Sequence, residues 1–451
     1  MKKKLFIFLF LTAQGILSFG QHEMTLFNMN NVFQSTYVNP SAVPEQKVSI
    51  GLPGLSSIQS GIYFSPFVPK DVKVVKTSDS TYGINLDKAI SKMAKNNNYL
   101  NSHTSVDLFS LRFKVRNVYV SLNATNITDV RFNFPQDLFS LIWYGNAQYT
   151  GSAVNLKNVA VDATQYNEYA VGFTRAKDGG KFRYGVRLKF LQGLNNFHTS
   201  SSNGSIAVDN QFYTNTISAN LHANSASVIP YDSPNNIDYT KALTNFQNIG
   251  GAIDLGMSYS PNKKWTFTGA VNNLGFITWK TNAKSHSVDG TYQFSGVSLD
   301  SINKGGVTLS SYTNSLTSAI HYQENSVTKY RTALTSSFYL SASYSLGRNT
   351  KLAVTGYGEF YYGLRPAGSV ALIQRAGRVL NLVFSYNARK NSYNNMGFGL
   401  MIKPGPFQIY VVGDNMLILN PFNSNNFTVR TGVNLVFGKT RKPEMQTHKE
   451  L

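Results

Sequence analysis

The stretch Phe427–Phe437, FTVRTGVNLVF, carries an apolar residue at almost every second position. One parity runs through phenylalanine, valine and leucine with Thr431 as its single polar member, and the other parity is mostly small or polar. Because successive side chains of a strand point to opposite faces, the pattern predicts a strand with one apolar and one polar face. A half-buried strand in a soluble sandwich has the same pattern, so this stretch alone leaves both folds open.

The front of the chain bears on the choice between these two folds. Its first 20 residues, MKKKLFIFLFLTAQGILSFG, combine three lysines, a short apolar core at Leu5–Leu11, and small residues at Ser18 and Gly20. This layout is typical of a secretory signal peptide, and its apolar run is far shorter than the ~20 residues of a membrane-spanning helix. We therefore expect residues 1–20 to be removed before Gln21. The absence of cysteine near the cut excludes lipoprotein processing.

The composition of the chain narrows the choice of fold class further. The 451 residues contain no cysteine, which excludes disulfides and thiolate metal sites. Only 14% of the residues are charged, whereas the chain has 26 tyrosines and 30 phenylalanines. No stretch after the signal is long and apolar enough for a spanning helix, so the chain crosses a membrane as a β-barrel or does not cross one. Low charge with many aromatic residues is typical of a barrel in lipid.

The charge balance is strongly basic. The formal charge is +20, and loss of the three lysines of the signal would leave +17. Nucleic acid is one partner of such proteins, but an export signal directs the chain away from it, and no basic helix with aromatic platforms occurs. We expect no nucleic-acid partner, and interpret the charge as suited to phosphate-bearing lipid or an anionic solute.

Alternating segments recur along most of the chain. The clearest hairpin joins Tyr169–Phe173 to Phe182–Phe190 through the turn at Lys177–Gly180. A weaker pair, Ser205–Val208 with Thr216–Leu221, either spans the membrane or forms a hairpin within a loop. The fold class predicted is therefore all-β, a transmembrane antiparallel β-barrel of about 14 strands (range 12–16) with two short helices in loops, at Leu86–Ala94 and Phe134–Tyr144.

Loop lengths predict the topology and the domain organisation. Short turns alternate with longer connections, and outer-membrane barrels have short turns on the periplasmic side. Counting strands in this way places both termini on the periplasmic side of the outer membrane of a Gram-negative bacterium. We predict a signal peptide at 1–20, an N-terminal segment at 21–46 that is a candidate hatch, a barrel at 47–438, and a polar periplasmic tail at 439–451.

Charged residues within the predicted strands lie on the polar parity. A charge facing lipid costs about 2–4 kcal/mol at the midplane, so these residues are expected to face the lumen, which would be net basic. They form either a hydrogen-bonded filling of the barrel or a specific anion path. The lumen-lining candidates are Arg112, Lys114, Arg183, Arg187, Lys189, Asp254, Glu359 and Arg430.

No catalytic constellation is evident. The seven histidines are scattered, and neither a zinc-protease helix motif, a nucleophile elbow nor a phosphate-binding loop occurs. A serine and a histidine from distant strands could still meet across a barrel. We predict that the protein is not an enzyme, that it has no catalytic, cofactor-binding or metal site, and that it uses no cofactor.

Short motifs carry a family resemblance. The stretch TYVNPSAVP resembles the NPA element near the mature N-terminus of FadL-like barrels and of PorP/SprF-like barrels from Bacteroidota, and the residues concerned are Asn39, Pro40, Ser41 and Ala42. The segments AIDLGMSY at Ala252–Tyr259 and NNLGFITW at Asn272–Trp279, with Asp414-Asn415 further on, are similar to segments of these families. The chain resembles most a Bacteroidota outer-membrane β-barrel family of unassigned role.

The resemblance implies two classes of function. FadL-like barrels imply a passive, porin-like route for small hydrophobic or amphipathic solutes, with the N-terminal segment as hatch. PorP/SprF-like barrels imply a structural component or anchor linked to type IX secretion or gliding, with a secretion or surface protein as partner. Outer-membrane lipids are expected partners in both cases, and the sequence specifies neither the solute nor the oligomeric state.

Overall fold

The chain forms a closed antiparallel β-barrel of 14 strand positions. The computed structural model describes residues 23–75, 82–177, 180–229, 244–294, 320–360, 363–389, 392–415 and 424–439. Every strand of the ring pairs with two neighbours, and the last position pairs with the first. The predicted fold class and the predicted number of strands are therefore confirmed.

The first barrel position is filled by two strands in succession, β1 (Gln46–Gly51) and β2 (Ile58–Phe64). The other thirteen are single strands: β5 (Asn98–Val115), β6 (Val118–Phe134), β8 (Ala160–Ala176), β9 (Phe182–Val208), β11 (Ile249–Tyr259), β12 (Trp265–Trp279), β16 (Ser336–Ser345), β17 (Thr350–Phe360), β18 (Leu364–Ala376), β19 (Leu380–Arg389), β20 (Ser392–Ile402), β21 (Phe407–Asn415) and β22 (Asn426–Lys439).

Both halves of the first position contribute to closure. β1 and β2 each pair with β22 on one side and with β5 on the other. The six residues between them, 52–57, stay in contact with the wall. The backbone nitrogen of Leu52 donates to the carbonyl of Val433, and the backbone nitrogen of Val433 donates to the carbonyl of Leu55. Phe427–Phe437, within β22, is thus part of the strand that closes the ring.

The two ends of the barrel differ. Gln46 is paired with Lys439, so β1 begins and β22 ends at the same end, which also holds the short turns of the hairpins; we call it the turn end. The opposite end, the loop end, carries the longer connections, together with two short ones at residues 361–363 and 390–391. Two of these hold the predicted helices, α3 (Leu86–Lys92) between β2 and β5 and α4 (Gln136–Tyr144) between β6 and β8. The two shorter helices are α1 (Met24–Phe27) and α2 (Pro69–Val72).

A second, smaller set of strands extends the wall at the loop end. These are β7 (Ser152–Asn155), β10 (Asn215–Ser227), β13 (Lys284–Phe294), β14 (Ile320–Ser326) and β15 (Tyr330–Ala333), while β3 (Lys73–Val75) and β4 (Tyr82–Ile84) pair separately. β10 pairs with the far half of β9 and with β13, not with the strands that continue the ring. The weak Ser205–Leu221 pair is therefore part of a loop hairpin, which gives 14 ring strands rather than 16.

One strand is much longer than the sequence pattern indicates. β9 runs without interruption for 27 residues, whereas the alternation predicted a strand ending near Phe190 and a separate one from Ser205. The intervening residues are largely polar on both parities, so this part of the strand has no apolar–polar alternation, although Leu191, Gln192 and Leu194 within it are buried.

The outer face of the ring is apolar. Leu188, Met257, Leu340 and Val354 alternate with buried neighbours and are each at least half exposed. Aromatic side chains flank this band near the turn end, where Phe182 stacks on Tyr259 and Trp265 packs against Tyr344. Within the described ranges, no helix has the length and apolarity to cross a membrane.

Closure can be tested by a disulfide, because the protein has no cysteine of its own. Ile50 of β1 faces Leu435 of β22 directly in the register. Directly opposed residues lie about 4.5–5.5 Å apart at Cα, within the range of a disulfide. We expect Ile50→Cys with Leu435→Cys to cross-link within one chain on mild oxidation. A measured lack of cross-linking on non-reducing gels would contradict the closed ring.

The matched control is Ile50→Cys with Leu400→Cys, since Leu400 lies on β20, with β21 and β22 between it and β1. Three strand spacings are about 14 Å, too far for a disulfide. This control should remain reduced under the same conditions.

Candidate functional site in the barrel interior

The N-terminal segment, defined here as residues 23–45, lies inside the ring. Its first part packs α1 and the following turn against the inner wall, and Met24, Leu26, Phe27 and Met29 are almost fully buried. The ring of Phe27 stacks on Tyr339, with centroids 4.8 Å apart. Burial of this apolar surface, at about 25 cal/mol per Å², provides the non-directional part of the binding between segment and wall.

Charged groups hold the beginning of the segment. The carboxylate of Asp414 accepts from the backbone nitrogens of Met24 and Thr25 at 3.0 and 2.8 Å, which satisfies two donors at the start of α1. Glu23 accepts from the guanidinium of Arg430 at 2.5 and 3.0 Å in a two-pronged ion pair. Such bidentate, charge-assisted pairs fix orientation as well as adding energy.

Tyr37 holds the middle of the segment. It ends a 3₁₀ turn at Phe33–Tyr37, and its hydroxyl donates to Asp107 at 2.7 Å. The guanidinium of Arg187 lies over its ring, 4.8 Å from the centroid, and that of Arg430 lies 5.5 Å from it. Tyr37 therefore connects wall residues from three separate strands, β5, β9 and β22.

The Asn39–Ala42 motif docks at the turn end. The Asn39 side chain accepts from the nitrogen and hydroxyl of Ser41, which closes a local turn. The Pro40 carbonyl accepts from Thr174 at 2.7 Å, and the Ala42 carbonyl accepts from Arg112 at 2.9 Å. The four motif residues thus contact the wall mainly through backbone atoms.

Two wall glycines make this docking possible. A Cβ atom at Gly185 would lie 1.9 Å from the Pro40 carbonyl oxygen, and one at Gly256 would lie 2.8 Å from the Ser41 nitrogen. Any side chain at Gly185 would displace the motif from the wall. These glycines are needed for close backbone approach rather than for a turn.

Four charged groups form a compact cluster on the loop-end side of the Asn39–Ala42 motif. Arg187 bonds to Asp254 and to Glu168, both at 2.9 Å, and Lys189 lies 2.8 Å from Asp254 and 3.1 Å from Glu168. All four are at least 93% buried. Two cations and two anions cancel, which is what burial of charge requires. We call Arg187, Lys189, Glu168 and Asp254 the charge cluster.

The other predicted lumen residues are dispersed. Arg112 lies over the ring of Tyr119 at 4.7 Å, and Lys114 approaches the same ring at 5.4 Å. Arg183 is only partly buried and lies toward the turn end, outside the charge cluster. Glu359 lies 3.9 Å from Arg131 and 3.8 Å from Arg365, far along the ring from Arg187. A role in lining an open lumen stays a prediction for the whole set.

Sequence reasoning missed several charged residues of the interior. Glu168 lies on the polar parity of β8, so the parity rule that selected Arg187 could have found it. Glu23 carried no such signal, because the N-terminal segment has no strand period. Among described residues, the buried cations number six and the buried anions five. The fully buried charges are thus nearly balanced, with one cation in excess, and a net basic lumen stays a prediction. These residues are Arg112, Arg131, Arg187, Lys189, Arg389 and Arg430, with Asp107, Glu168, Asp254, Glu359 and Asp414.

The barrel interior contains one cavity beside the segment and another at the loop end. The first, about 70 Å³, lies between Tyr37, the charge cluster and Arg430, and has room for only a few waters. The second, about 350 Å³, lies at the loop end among Asp129, Asp162 and His198, within the size range of small-ligand pockets. In the ranges that the structure describes, no cluster of histidine and acidic side chains is suited to hold a metal ion.

The charge cluster gives a stability prediction. Asp254→Asn leaves one buried cation without compensation, which should destabilise the barrel by about 3–5 kcal/mol. Adding Lys189→Met removes that surplus cation and should recover a large part of the loss. Denaturant unfolding of the purified protein measures both. Losses that simply add in the double variant would contradict the cluster.

Three solved structures align with most of this chain at low sequence identity. The Pseudomonas putida toluene transporter TodX aligns over 93% of this chain and 94% of its own, at 8% identity and a TM-score of 0.40. The Ralstonia pickettii toluene transporter TbuX aligns over 88% and 92%, at 8% and 0.40. A Pseudomonas aeruginosa FadL homologue aligns over 90% and 95%, at 8% and 0.41. At this similarity, no residue role passes from those proteins to this chain.

Comparison with curated proteins returns no match. A family model does match, over residues 40–414, which include the Asn39–Ala42 motif from Pro40 onward, the charge cluster and Asp414. The chain therefore belongs to the family described as a family of unknown function (DUF5723).

Proposed function

We propose that the protein is an outer-membrane β-barrel that acts as a gated passive route for small amphipathic solutes, with the N-terminal segment as its hatch. The observation that carries the proposal is the position of residues 23–45 inside a closed ring, held by wall charges and leaving about 70 Å³ of space beside Tyr37. That space is too small for a solute to pass, so transport requires the segment to move.

The outer surface supports the membrane location. On β9, Phe182 near the turn end and Phe190 further along are both exposed, with Leu188 between them. Eight residue steps of about 3.3 Å, tilted by about 40°, separate the two aromatic positions by about 20 Å. An apolar band of this height between aromatic residues suits the hydrocarbon core of an outer membrane. The short turns at the turn end support a periplasmic position for that end, with Gln46 and Lys439.

The character of the interior favours a hatch. The segment is anchored by side chains spread around the wall, charged ones such as Asp414 and Arg430 and neutral ones such as Asn434, rather than by strand pairing. Each of these is a separate bond that water or a polar solute can replace, whereas a ladder of strand bonds would have to break together.

The wall chemistry favours amphipathic over purely hydrophobic solutes. The loop-end cavity is bordered by Asp129, Asp162 and His198 but also by Leu334 and Phe360. A solute without polar groups would displace water from those carboxylates without bonding to them. A solute with both characters satisfies both sides. No cofactor and no catalytic step is part of this proposal.

The alternative role is a structural anchor, the function that PorP/SprF-like barrels suggest in type IX secretion or gliding. The nearly balanced, hydrogen-bonded interior favours it, because a permanently filled barrel needs no release of its segment. In that case a secretion or surface protein is the partner. The two roles differ in one measurable property, the passage of solute.

The membrane location predicts a difference between two arginine substitutions. Leu340 is 64% exposed in the apolar band, so Leu340→Arg should cost about 2–4 kcal/mol and reduce insertion. Phe212 is 78% exposed in the β9–β10 turn outside the band, so Phe212→Arg should have little effect. Folding into lipid vesicles, followed by heat-modifiable gel migration, measures insertion. Equal yields of the two variants would exclude the proposed lipid face.

The hatch predicts redox control of transport in a double cysteine variant. The hydroxyls of Ser41 and Ser258 lie 2.7 Å apart, so Ser41→Cys with Ser258→Cys should tie the segment to β11. Flux of a dye-sized amphipathic solute in proteoliposomes should be lowest in the oxidised form and should recover on reduction. Ser41→Cys alone is the control, and its flux should be the same before and after oxidation. Glu23→Gln, which weakens the ion pair with Arg430, is tested in the same assay. Absence of flux in this variant and in every form of the cysteine variants would favour the anchor role.

A further inference from the structure

Exposed basic side chains are concentrated at the turn end of the barrel. Four successive turns, from the one between β5 and β6 to the one between β16 and β17, carry seven of them together with the adjoining strand ends. The described part of these turns contains no acid, and their sequence has one, Asp178, outside the described residues. The loop end is mixed, since α3 and α4 contribute Asp87 and Asp137 as well as Lys88 and Lys92. The seven residues, which we call the basic arc, are Arg116, Arg175, Lys177, Lys181, Lys263, Lys264 and Arg348.

The basic arc is continuous around its side of the ring. Cations that lie close together repel one another, and anions placed among them relieve that repulsion. The charge of the arc thus favours an anionic partner, and its position decides the kind. Backbone hydrogen bonds of 2.8 to 3.0 Å link each turn to the next, joining Asn117 to Ala176, Lys181 to Ser260 and Lys264 to Ser345.

The arc lies directly beyond the aromatic edge of the apolar outer face. Lys181 is followed by Phe182 and Lys264 by Trp265, and these two aromatic side chains are 55% and 41% exposed. Aromatic side chains at such an edge occupy the interface between the hydrocarbon core and the headgroups of a membrane. The cations one residue further on then lie at the level of the lipid phosphates.

Arg175 favours a lipid over a soluble anion. It is exposed, continues the outward parity of Phe173 on β8, and lies opposite the exposed Tyr184 of β9. Its side chain is therefore on the outer face of the wall, where the surrounding medium of an inserted barrel is lipid rather than the lumen. A long basic side chain at the edge of an apolar surface extends its charge toward the phosphates of that lipid.

We propose that the basic arc binds the headgroup phosphates of anionic phospholipids in the leaflet at the turn end. The arc supplies the charge, and the adjoining aromatic side chains contact the upper part of the lipid. Each basic residue near an anionic membrane surface strengthens binding about fivefold, so an arc of several selects anionic over zwitterionic lipid. The inference rests on the membrane location proposed above and is independent of solute passage.

Tryptophan quenching by brominated lipids tests this proposal, because Trp265 reports from the arc itself. The chain has three tryptophans, and Trp279 is fully buried, so Trp143→Phe leaves Trp265 as the exposed one. The full-length Trp143→Phe protein is folded into vesicles, and its insertion is checked by heat-modifiable gel migration. At low salt, brominated phosphatidylglycerol should quench Trp265 with at least about fivefold preference over brominated phosphatidylcholine.

Two further conditions separate lipid binding from adsorption of soluble anions. Raising the salt concentration should reduce the preference, because ions screen exposed charges. Glycerol phosphate, which carries the charge without acyl chains, should not displace the lipid at equal concentration. Displacement by glycerol phosphate, or a preference that salt leaves unchanged, would overturn the proposal.

Variants assign the preference to the arc. Lys181→Gln with Lys264→Gln removes the two exposed charges that adjoin the aromatic edge, and it should reduce the preference to near equality. Lys92→Gln with Lys157→Gln is the matched control, because it removes two exposed lysines at the loop end. A preference that the arc variant keeps, or that the control loses equally, would overturn the assignment.

The same assay distinguishes failure of this inference from failure of the membrane location. Insertion of the Trp143→Phe protein without any preference for the anionic lipid would overturn the inference alone. Failure of that protein to insert into vesicles of either lipid would contradict the membrane location and the inference together.

Discussion

Compensation of buried charge is the constraint on which this structure depends. The wall places Arg430 and Asp414 inside the ring, and their partners include Glu23 and the backbone of Met24 and Thr25 in the N-terminal segment. A buried ion that loses its partner costs several kcal/mol, whereas a matched pair is close to neutral. Wall and segment are therefore interdependent: the segment is ordered by the wall charges, and those charges are tolerated because the segment matches them.

The sequence predicts the fold well because a closed ring with an apolar outer face and a polar interior imposes a simple alternation on its strands. Alternation identified the ring strands, and the polar parity selected Arg187, Lys189 and Asp254, which the structure brings into one cluster. β9 and β11 are adjacent in the ring, so these residues meet across one strand pair. Glu359, selected by the same rule, lies on β17 outside this cluster and pairs with Arg131 and Arg365. Parity predicts the face of a residue, but its partners depend on ring position and strand stagger.

The rest of the site could not be predicted because it depends on tertiary contacts. The segment at residues 23–45 has no strand period, and nothing in its residues indicates that Glu23 reaches Arg430 or that Tyr37 reaches Asp107. The far half of β9 was missed for a related reason, since it is largely polar on both parities and so gives no alternation. Both the N-terminal segment and the far half of β9 thus lie where the alternation of ring strands does not apply.

Hydrogen exchange of the backbone of residues 24–42, in protein reconstituted into lipid nanodiscs, tests the central claim most directly. A segment held inside the ring by buried charges should exchange far more slowly than the exposed turn at residues 261–264, and Glu23→Gln should speed the exchange of Met24 and Thr25 selectively. Exchange across residues 24–42 as fast as in that turn would contradict a segment bound inside the barrel.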